Sequence, residues 1–244
     1  MATVRERITV HGMNYVHGRG PLFYASIQSP DCHGTYGEEA KHRLVSTLWD
    51  HLAAMETPLW KRRQSSIGAA LPIQVLHSPL GRPHLLLGEY RGPAVSFSEG
   101  GGRVWAAICG DDSDIGIDVA GSDEFPRGYP FDRVFLPEEL EHALNPAGGD
   151  PGRASALLWS IKEAVVKALG CAFHLVDPRQ ITVYPAADGA AGGNGGYTFR
   201  VGLTGKALAR FPMASGHSLR VRSLPRRKMW LSIALLDRSP ALHE

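Results

Sequence analysis

Two segments of the chain repeat their apolar residues every three or four positions, which is the spacing of one face of an α-helix. The first runs from residue 38 to residue 57. The second opens at Asp150, an N-cap residue followed by Pro151, and stops at Gly170. The pattern therefore predicts one long helix in each half of the chain. The apolar residues of the first segment are Leu44, Val45, Leu48, Leu52 and Met55.

Other segments have the alternation or the short apolar runs of β-strands. Ser98–Gly102, which contains three glycines, is predicted to join two strands as a tight hairpin connection. Pro137, followed by two glutamates, is predicted to start a short helix. The glycine-rich stretch 186–196 is the predicted tip of a further hairpin. The predicted strands are residues 8–17, 93–97, 104–109, 115–120, 180–184, 197–203 and 229–236.

The strand at 115–120 carries one acid in an otherwise apolar run. Ile115, Ile117 and Val119 share one face because side chains alternate along a strand. Asp118 therefore points to the opposite face.

The second helix carries a carboxylate and an ammonium among bulky apolar groups. At about 100° per residue, Glu163 and Lys167 lie one turn apart and nearly opposite the apolar stripe, flanked by Trp159 and Val166. One interpretation is an exposed ion pair, which stabilises a helix by only about 0.2–0.5 kcal/mol. The apolar flanks favour charges that are paired or bound to a ligand, because burying them alone is costly. The stripe consists of Leu157, Ile161, Val165 and Ala168.

Composition and charge narrow the class of protein. The chain has 244 residues, 43% of them hydrophobic, and a formal net charge of +2, which does not by itself indicate a nucleic-acid partner. It contains no run of about 18 apolar residues, so no membrane span is predicted, and no signal-peptide pattern is visible. Three scattered cysteines fit a reducing compartment. We therefore expect a cytoplasmic protein that binds neither membranes nor nucleic acid.

Basic residues gather in one place, from Arg220 to Lys228. One interpretation is a solvated turn between two strands. The other is a docking patch for an acidic partner protein. The members are Arg220, Arg222, Arg226, Arg227 and Lys228.

Two motifs in fixed order resemble a known enzyme family. The run from Ile115 to Val119, I-G-I-D-V, is followed about forty residues later by W-S-I-K-E-A-V-V-K, from Trp159 to Lys167. This pair resembles the G-[IV]-D strand and W-[ST]-x-K-E-[AS]-x-x-K helix of 4′-phosphopantetheinyl transferases. The turn Gly81–Pro83, the strand Val95–Ser98 and the closing strand Lys228–Ala234 are similar to further family segments, in the expected order.

The resemblance implies the larger, two-half type of this family. The fold expected is α+β, with two similar halves related by a pseudo-twofold, each a small sheet packed on a long helix. The halves would be residues 1–110 and residues 111–244, the second carrying the metal-site motifs. Because the halves would bury each other, a monomer is expected.

The activity implied is transfer of the phosphopantetheine arm of coenzyme A to a serine of an apo carrier protein. The reaction, of the holo-[acyl-carrier-protein] synthase type, releases adenosine 3′,5′-bisphosphate and uses Mg²⁺. The carrier could serve fatty acid, polyketide or nonribosomal peptide biosynthesis. Phosphoryl transfer depends mainly on positioning and charge stabilisation, which Mg²⁺ and cationic side chains supply.

Carried over by position, the resemblance assigns roles to individual residues. Asp118 and Glu163 would hold the metal, and Lys167 would contact the phosphates. Lys162 would lie at the edge of the coenzyme, and Glu139 would help to deprotonate the serine. The coenzyme would further be contacted by Arg82 and Ser98, and at its 3′-phosphate by Lys41 and Arg43, unless these two are only solvated helix charges.

Two positions depart from the family pattern. Ala120 stands where a second acid is common, and Glu99 stands where a histidine is expected to contact the pyrophosphate. A carboxylate beside two phosphates repels them unless a metal intervenes. Glu99 could point into solvent, it could mark a degenerate site, or it could supply the metal ligand that Ala120 lacks.

Two other functions compete with the transferase. A nuclease with a D…E-x-K core also uses these residue types, but here three residues rather than one separate Glu163 from Lys167, and no basic stripe follows a duplex. A non-catalytic module that binds coenzyme A or a carrier protein is the second alternative, and Glu99 and Ala120 are the features that support it.

Overall fold

The computed structural model describes ten stretches of the chain, in two compact units, Met1–Asp112 and Ser113–Glu244. The described stretches are residues 8–13, 21–28, 35–55, 74–76, 83–87, 90–110, 113–125, 129–186, 195–215 and 219–237.

The described part of the first unit is one antiparallel sheet with one long helix. The helix, α1, spans Thr35–Ala54, and it packs on the sheet through an apolar face that includes Leu44, Leu48 and Leu52, all fully buried. The strands are β1 (Thr9–Met13), β2 (Leu22–Gln28), β3 (Gln74–Leu76), β4 (His84–Leu87), β5 (Tyr90–Gly100) and β6 (Arg103–Cys109). Their order across the sheet is β1-β2-β6-β5-β4-β3.

The second unit repeats this construction with a different sheet order. Its long helix, α3, is preceded by the short α2 and followed by the short α4. The bounds are β7 (Asp114–Gly121), α2 (Pro137–Leu144), α3 (Pro151–Leu169), β8 (Ile181–Pro185), β9 (Tyr197–Leu203), α4 (Gly205–Arg210), β10 (Leu219–Arg226) and β11 (Met229–Leu236). The antiparallel strands lie in the order β7-β11-β10-β9-β8. The α+β class, with a sheet and a long helix in each half, is therefore confirmed.

The ends of α3 are those predicted from the sequence. The Asp150 carboxylate accepts hydrogen bonds from the backbone N–H groups of Gly152 (2.8 Å) and Arg153 (3.3 Å). Gly170 ends the helix in the left-handed conformation, with φ of 71°. Within the described residues, no helix is long and apolar enough to cross a membrane.

The hairpin between β5 and β6 differs from the prediction. Its turn is only Gly101–Gly102, both with positive φ, whereas Ser98 and Glu99 belong to strand β5 and pair with β6. Glu99 therefore lies on a hydrogen-bonded strand and not in a loop.

The cluster of basic residues also differs from the prediction. Only Arg227 and Lys228 form the turn between β10 and β11. The other three, Arg220, Arg222 and Arg226, are strand residues of β10. The alternating run L-R-V-R-S at residues 219–223 is typical of a β-strand, but the prediction considered only its charge.

Helix α3 lies unusually close to strand β7. A Cβ atom placed on Gly116 would lie 1.8 Å from the Ala164 carbonyl oxygen and 2.7 Å from the Ala168 nitrogen. A buried chain of hydroxyls also joins the helix to the sheet: Ser160 Oγ is 2.7 Å from Ser232 Oγ, which is 2.8 Å from Ser223 Oγ. Glycine at 116 is thus required by the backbone-to-backbone approach.

We predict that Gly116→Ala destabilises the second unit by more than about 2 kcal/mol, because the methyl group would force α3 away from β7. Gly202→Ala on β9 is the matched control, since its Cβ would meet only Tyr184 at an ordinary 3.5 Å. Urea unfolding of both variants measures the difference, and equal midpoints for the two would contradict the prediction.

Candidate functional site

Strand β7 presents three residues to helix α3. Gly116 faces the helix, so Asp118 and Ala120 lie on the same side of the strand. The prediction that Asp118 lies opposite the face of Ile115 and Ile117 is therefore correct. The close packing at Gly116 brings the Asp118 carboxylate within reach of the last turns of α3.

Asp118 and Lys167 form an ion pair at this junction. Lys167 Nζ donates to Asp118 Oδ1 at 2.8 Å and to the Ile117 carbonyl oxygen at 3.1 Å. The Asp118 side chain is 10% exposed and that of Lys167 is 29% exposed. The pair is therefore partly shielded from water, yet the ammonium can still be reached from solvent.

Glu163, one helical turn before Lys167, belongs to the same cluster of charges. Burial raises the pKa of the Glu163 carboxyl, and the nearby Asp118 carboxylate raises it further, while Lys167 opposes the shift. Two carboxylates and one ammonium therefore act on one another at this junction.

Sequence analysis did not identify Glu124, which lies just beyond the end of β7. Burial and the charges of Asp118 and Asp123 raise the pKa of Glu124, and Glu124 in turn raises that of Glu163. Its backbone N–H donates to the Gly121 carbonyl oxygen at 3.1 Å, which holds the turn. The feature of the sequence that could have identified Glu124 is its place, as an acid, just after the strand that carries Asp118.

The donor set of this cluster suits a magnesium ion that binds together with a phosphate group. In the described ranges, no group of three Asp, Glu, His or Cys side chains is arranged to hold a metal. Magnesium is usually held by one or two carboxylates, with water and substrate phosphate oxygens completing its shell. Asp118 and Glu163 can supply those carboxylates, and their mutual repulsion favours a cation between them.

Ala120, the expected position of a second acid, is buried in the packing of the sheet. Its cross-strand neighbour is Trp230, and each of the two residues is only 1% exposed. A carboxylate at position 120 would therefore lie in the core beside the indole ring. At this position, apolar packing therefore stands in place of the charged group that is common in the family pattern.

Lys162 and Glu139 form a second ion pair, which is completely buried. Lys162 Nζ donates to Glu139 Oε2 at 2.8 Å. It also donates to the carbonyl oxygens of Val134, Pro178 and Ile181, at 3.2, 2.8 and 2.8 Å. Burial lowers the pKa of the Lys162 ammonium, and the Glu139 charge opposes the shift.

Both oxygen atoms of the Glu139 carboxylate also accept hydrogen bonds from the backbone. Oε2 accepts from the Leu136 N–H at 2.8 Å, which caps the start of α2, and Oε1 accepts from the Val183 N–H at 2.8 Å. Glu139 is 2% exposed and Lys162 is 0% exposed. In this structure both groups hold core elements together, and the expected roles of Lys162 at the edge of the coenzyme and of Glu139 in deprotonating a serine stay predictions.

Other expected coenzyme contacts belong to the first unit. Lys41 Nζ lies 3.0 Å from Glu38 Oε1 and 3.8 Å from Glu99 Oε1, so the unexpected glutamate is near a lysine of α1. Ser98 is buried on β5, and Arg43 is partly exposed on α1. Arg82 lies outside the described residues.

Comparison with known proteins supports the resemblance that the motifs indicated. The model of the 4′-phosphopantetheinyl transferase superfamily matches residues 114–203, which include Asp118, Glu163 and Lys167. For this part of the chain, the match confirms the family recognised from the motifs. No curated protein matches the chain.

Two solved structures are similar to about half of the chain. The Chronobacterium ammoniagenes ACPS–CoA complex is 22% identical over 53% of this chain and 100% of that chain, with a TM-score of 0.41. The holo-[acyl-carrier-protein] synthase from Neisseria meningitidis is 18% identical over 51% of this chain and 97% of that chain, with a TM-score of 0.40.

We predict that Lys162→Met lowers the free energy of unfolding by about 3–5 kcal/mol, because it leaves the Glu139 charge buried without its partner. The exposed Lys206→Met is the matched control and should change stability by less than about 0.5 kcal/mol. Adding Glu139→Gln to Lys162→Met should cost less than the sum of the two single changes. If the Lys162→Met protein is fully stable and loses only coenzyme binding, the prediction is contradicted and Lys162 is assigned to the edge of the coenzyme.

Glu163 is expected to make stability depend on pH. Because its pKa is raised in the folded state, its stabilising contribution is complete below the ordinary value of 4.5 and is lost as the pH rises through the folded-state pKa. Glu163→Gln should therefore gain stability relative to the unchanged protein as the pH rises from about 4 to about 8. The midpoints of urea unfolding, recorded in EDTA at each pH, measure the difference in stability between the variant and the unchanged protein. The exposed Glu138→Gln is the control. A difference that does not vary with pH would contradict the prediction.

Proposed function

We propose, from the premise that residues 114–203 belong to the 4′-phosphopantetheinyl transferase superfamily, that this protein is a carrier-protein-modifying enzyme. It transfers the phosphopantetheine arm of coenzyme A to a serine of an apo acyl or peptidyl carrier protein, as holo-[acyl-carrier-protein] synthases do. A bond forms between the serine oxygen and the phosphorus that carries the arm, and the proton of the serine hydroxyl passes to water. The pyrophosphate bond breaks, and adenosine 3′,5′-bisphosphate leaves.

The observation that carries the proposal is the contact between Lys167 and Asp118, next to Glu163. These three residues come from the two family motifs, which are far apart in the chain and meet at one junction of strand and helix. A cluster of one partly exposed ammonium and two carboxylates matches the needs of phosphoryl transfer, which is positioning and charge stabilisation.

Each residue of the cluster has a distinct task. The Lys167 ammonium, 29% exposed, binds the phosphate oxygens and stabilises the charge that develops on the leaving phosphate. Asp118 orients Lys167, and with Glu163 it would hold Mg²⁺. When bound, Mg²⁺ supplies charge neutralisation at the pyrophosphate. The buried Lys162–Glu139 pair fixes α3 to its neighbours and keeps Lys167 in place.

One observation favours the alternative of a non-catalytic module. Glu99 stands near Lys41 on the first unit, where a histidine and a cation were expected to serve the coenzyme. A carboxylate at this position would weaken the attraction between Lys41 and a phosphate. On this hypothesis the protein would bind a carrier protein or coenzyme A without turnover.

The transferase proposal predicts a mass gain of one phosphopantetheine arm on an apo carrier protein incubated with the protein, coenzyme A and Mg²⁺. Intact-protein mass spectrometry of a panel of apo carriers measures it. Asp118→Asn and Lys167→Met should each reduce the rate at least about a hundredfold, because each removes a group that acts on the transferred phosphate. Exposed Lys206→Met is the control for loss of a lysine.

Glu99 separates the two proposals and tests its role as a metal ligand. Glu99→Gln should leave the Mg²⁺ requirement unchanged if the glutamate serves only Lys41, and should raise it sharply if the glutamate is a ligand. No mass gain on any carrier, together with measurable coenzyme A binding, would reject the transferase. In that case, Glu99→His would be the first variant in which to look for activity.

A further inference from the structure

Strands β9 and β10 carry a row of arginines that the transferase site does not use. Ser223 of β10 bonds through Ser232 to Ser160 of α3, so the odd-numbered residues of β10 face the helix. Even-numbered residues therefore point to the opposite side. The arginine face consists of Arg200, Arg220, Arg222 and Arg226 on that side of the sheet.

The arginine face spans two neighbouring strands in register, and a tyrosine of a third strand lies beside it. Arg220 lies directly opposite Arg200 of β9, and Arg200 lies directly opposite Tyr184 of β8, a residue that is 45% exposed. Arg200 is exposed, and the three arginines of β10 are partly exposed. Solvent, and therefore a partner, can reach this surface.

The arginine face concentrates positive charge. Arg200 and Arg220 lie directly opposite each other on neighbouring strands, where Cβ atoms are about 5 Å apart. The fields of closely spaced like charges add, so this surface attracts a negatively charged partner.

Arg222 is held in place before any partner arrives. Its Nη1 donates to Thr198 Oγ1 at 3.1 Å. A Cβ on Gly196 would lie 3.1 Å from Arg222 Nε and 2.5 Å from Leu224 Cδ2, so the glycine leaves room for the guanidinium. A guanidinium has five N–H donors and can contact a partner while it keeps this bond. Fixing a long side chain in advance reduces the entropy lost on binding.

We propose that the arginine face is a docking surface for an acidic protein, and, resting on the proposed function, for the apo carrier protein that is modified. From Arg220 to Arg226 the face extends about 20 Å, the length of about 13 residues of an α-helix. A row of this length fits carboxylates spaced along one helix. The net charge of the whole chain is only +2, which favours an acidic protein over a nucleic acid.

The first experiment measures transfer to the carrier that the mass-spectrometry panel identifies. Arg200→Gln/Arg222→Gln should raise the KM for the carrier about tenfold, with kcat and the Kd for coenzyme A unchanged. The increase should disappear at about 1 M salt, where charges are screened within about 3 Å. Arg210→Gln, an exposed arginine at the end of α4, is the matched control. An unchanged KM in an active enzyme would overturn the proposal.

A second experiment does not depend on transfer, so failure of the proposed function is distinguishable from failure of the docking surface. A fluorescein-labelled peptide of about 13 residues, with glutamates one helical turn apart, is titrated with the full chain and followed by anisotropy. Binding that is lost in Arg200→Gln/Arg222→Gln but kept in Arg210→Gln supports the acidic-protein proposal. Absence of binding overturns it. Tighter, arginine-dependent binding of a labelled single-stranded DNA would also overturn it, in favour of a nucleic-acid surface.

Discussion

The close approach of helix α3 to strand β7 is the contact on which the candidate site depends. Gly116 permits it, because any side chain there would meet the backbone of Ala164. Two residues further along the strand, Asp118 is thereby brought to 2.8 Å from Lys167. The glycine of the family motif thus acts through packing, and the aspartate through the geometry that the packing creates.

The charged residues of α3 have different roles because Lys162 lies on one side of the helix, whereas Glu163 and Lys167 lie on another. Lys162 points into the core, where four oxygen atoms surround its ammonium. Glu163 and Lys167 point towards β7 and keep some exposure. A buried charge is tolerated only when its hydrogen bonds are satisfied, so Lys162 is a structural group. A partly exposed cluster of charges is better suited to bind a phosphate or a cation.

The two departures from the family pattern each have a structural partner. Ala120 packs opposite Trp230, and the pair is buried in the sheet. Glu99 lies on a strand near Lys41, where it changes the charge that α1 offers to an anion. The first departure replaces a polar contact with apolar packing, whereas the second alters the electrostatics of the first unit.

The sequence alone determined the caps of α3 and the face of Asp118, because these depend on local periodicity and on residues within one element. The resemblance to a known family supplied the pairing of the strand motif with the helix motif. The sequence did not reveal that Lys162 and Glu139 are buried partners, that Glu124 joins the acidic cluster, or that Arg220, Arg222 and Arg226 share a sheet face with Arg200. Only the tertiary structure decided these, because the partners are distant in sequence and the burial of a charge depends on every element packed around it.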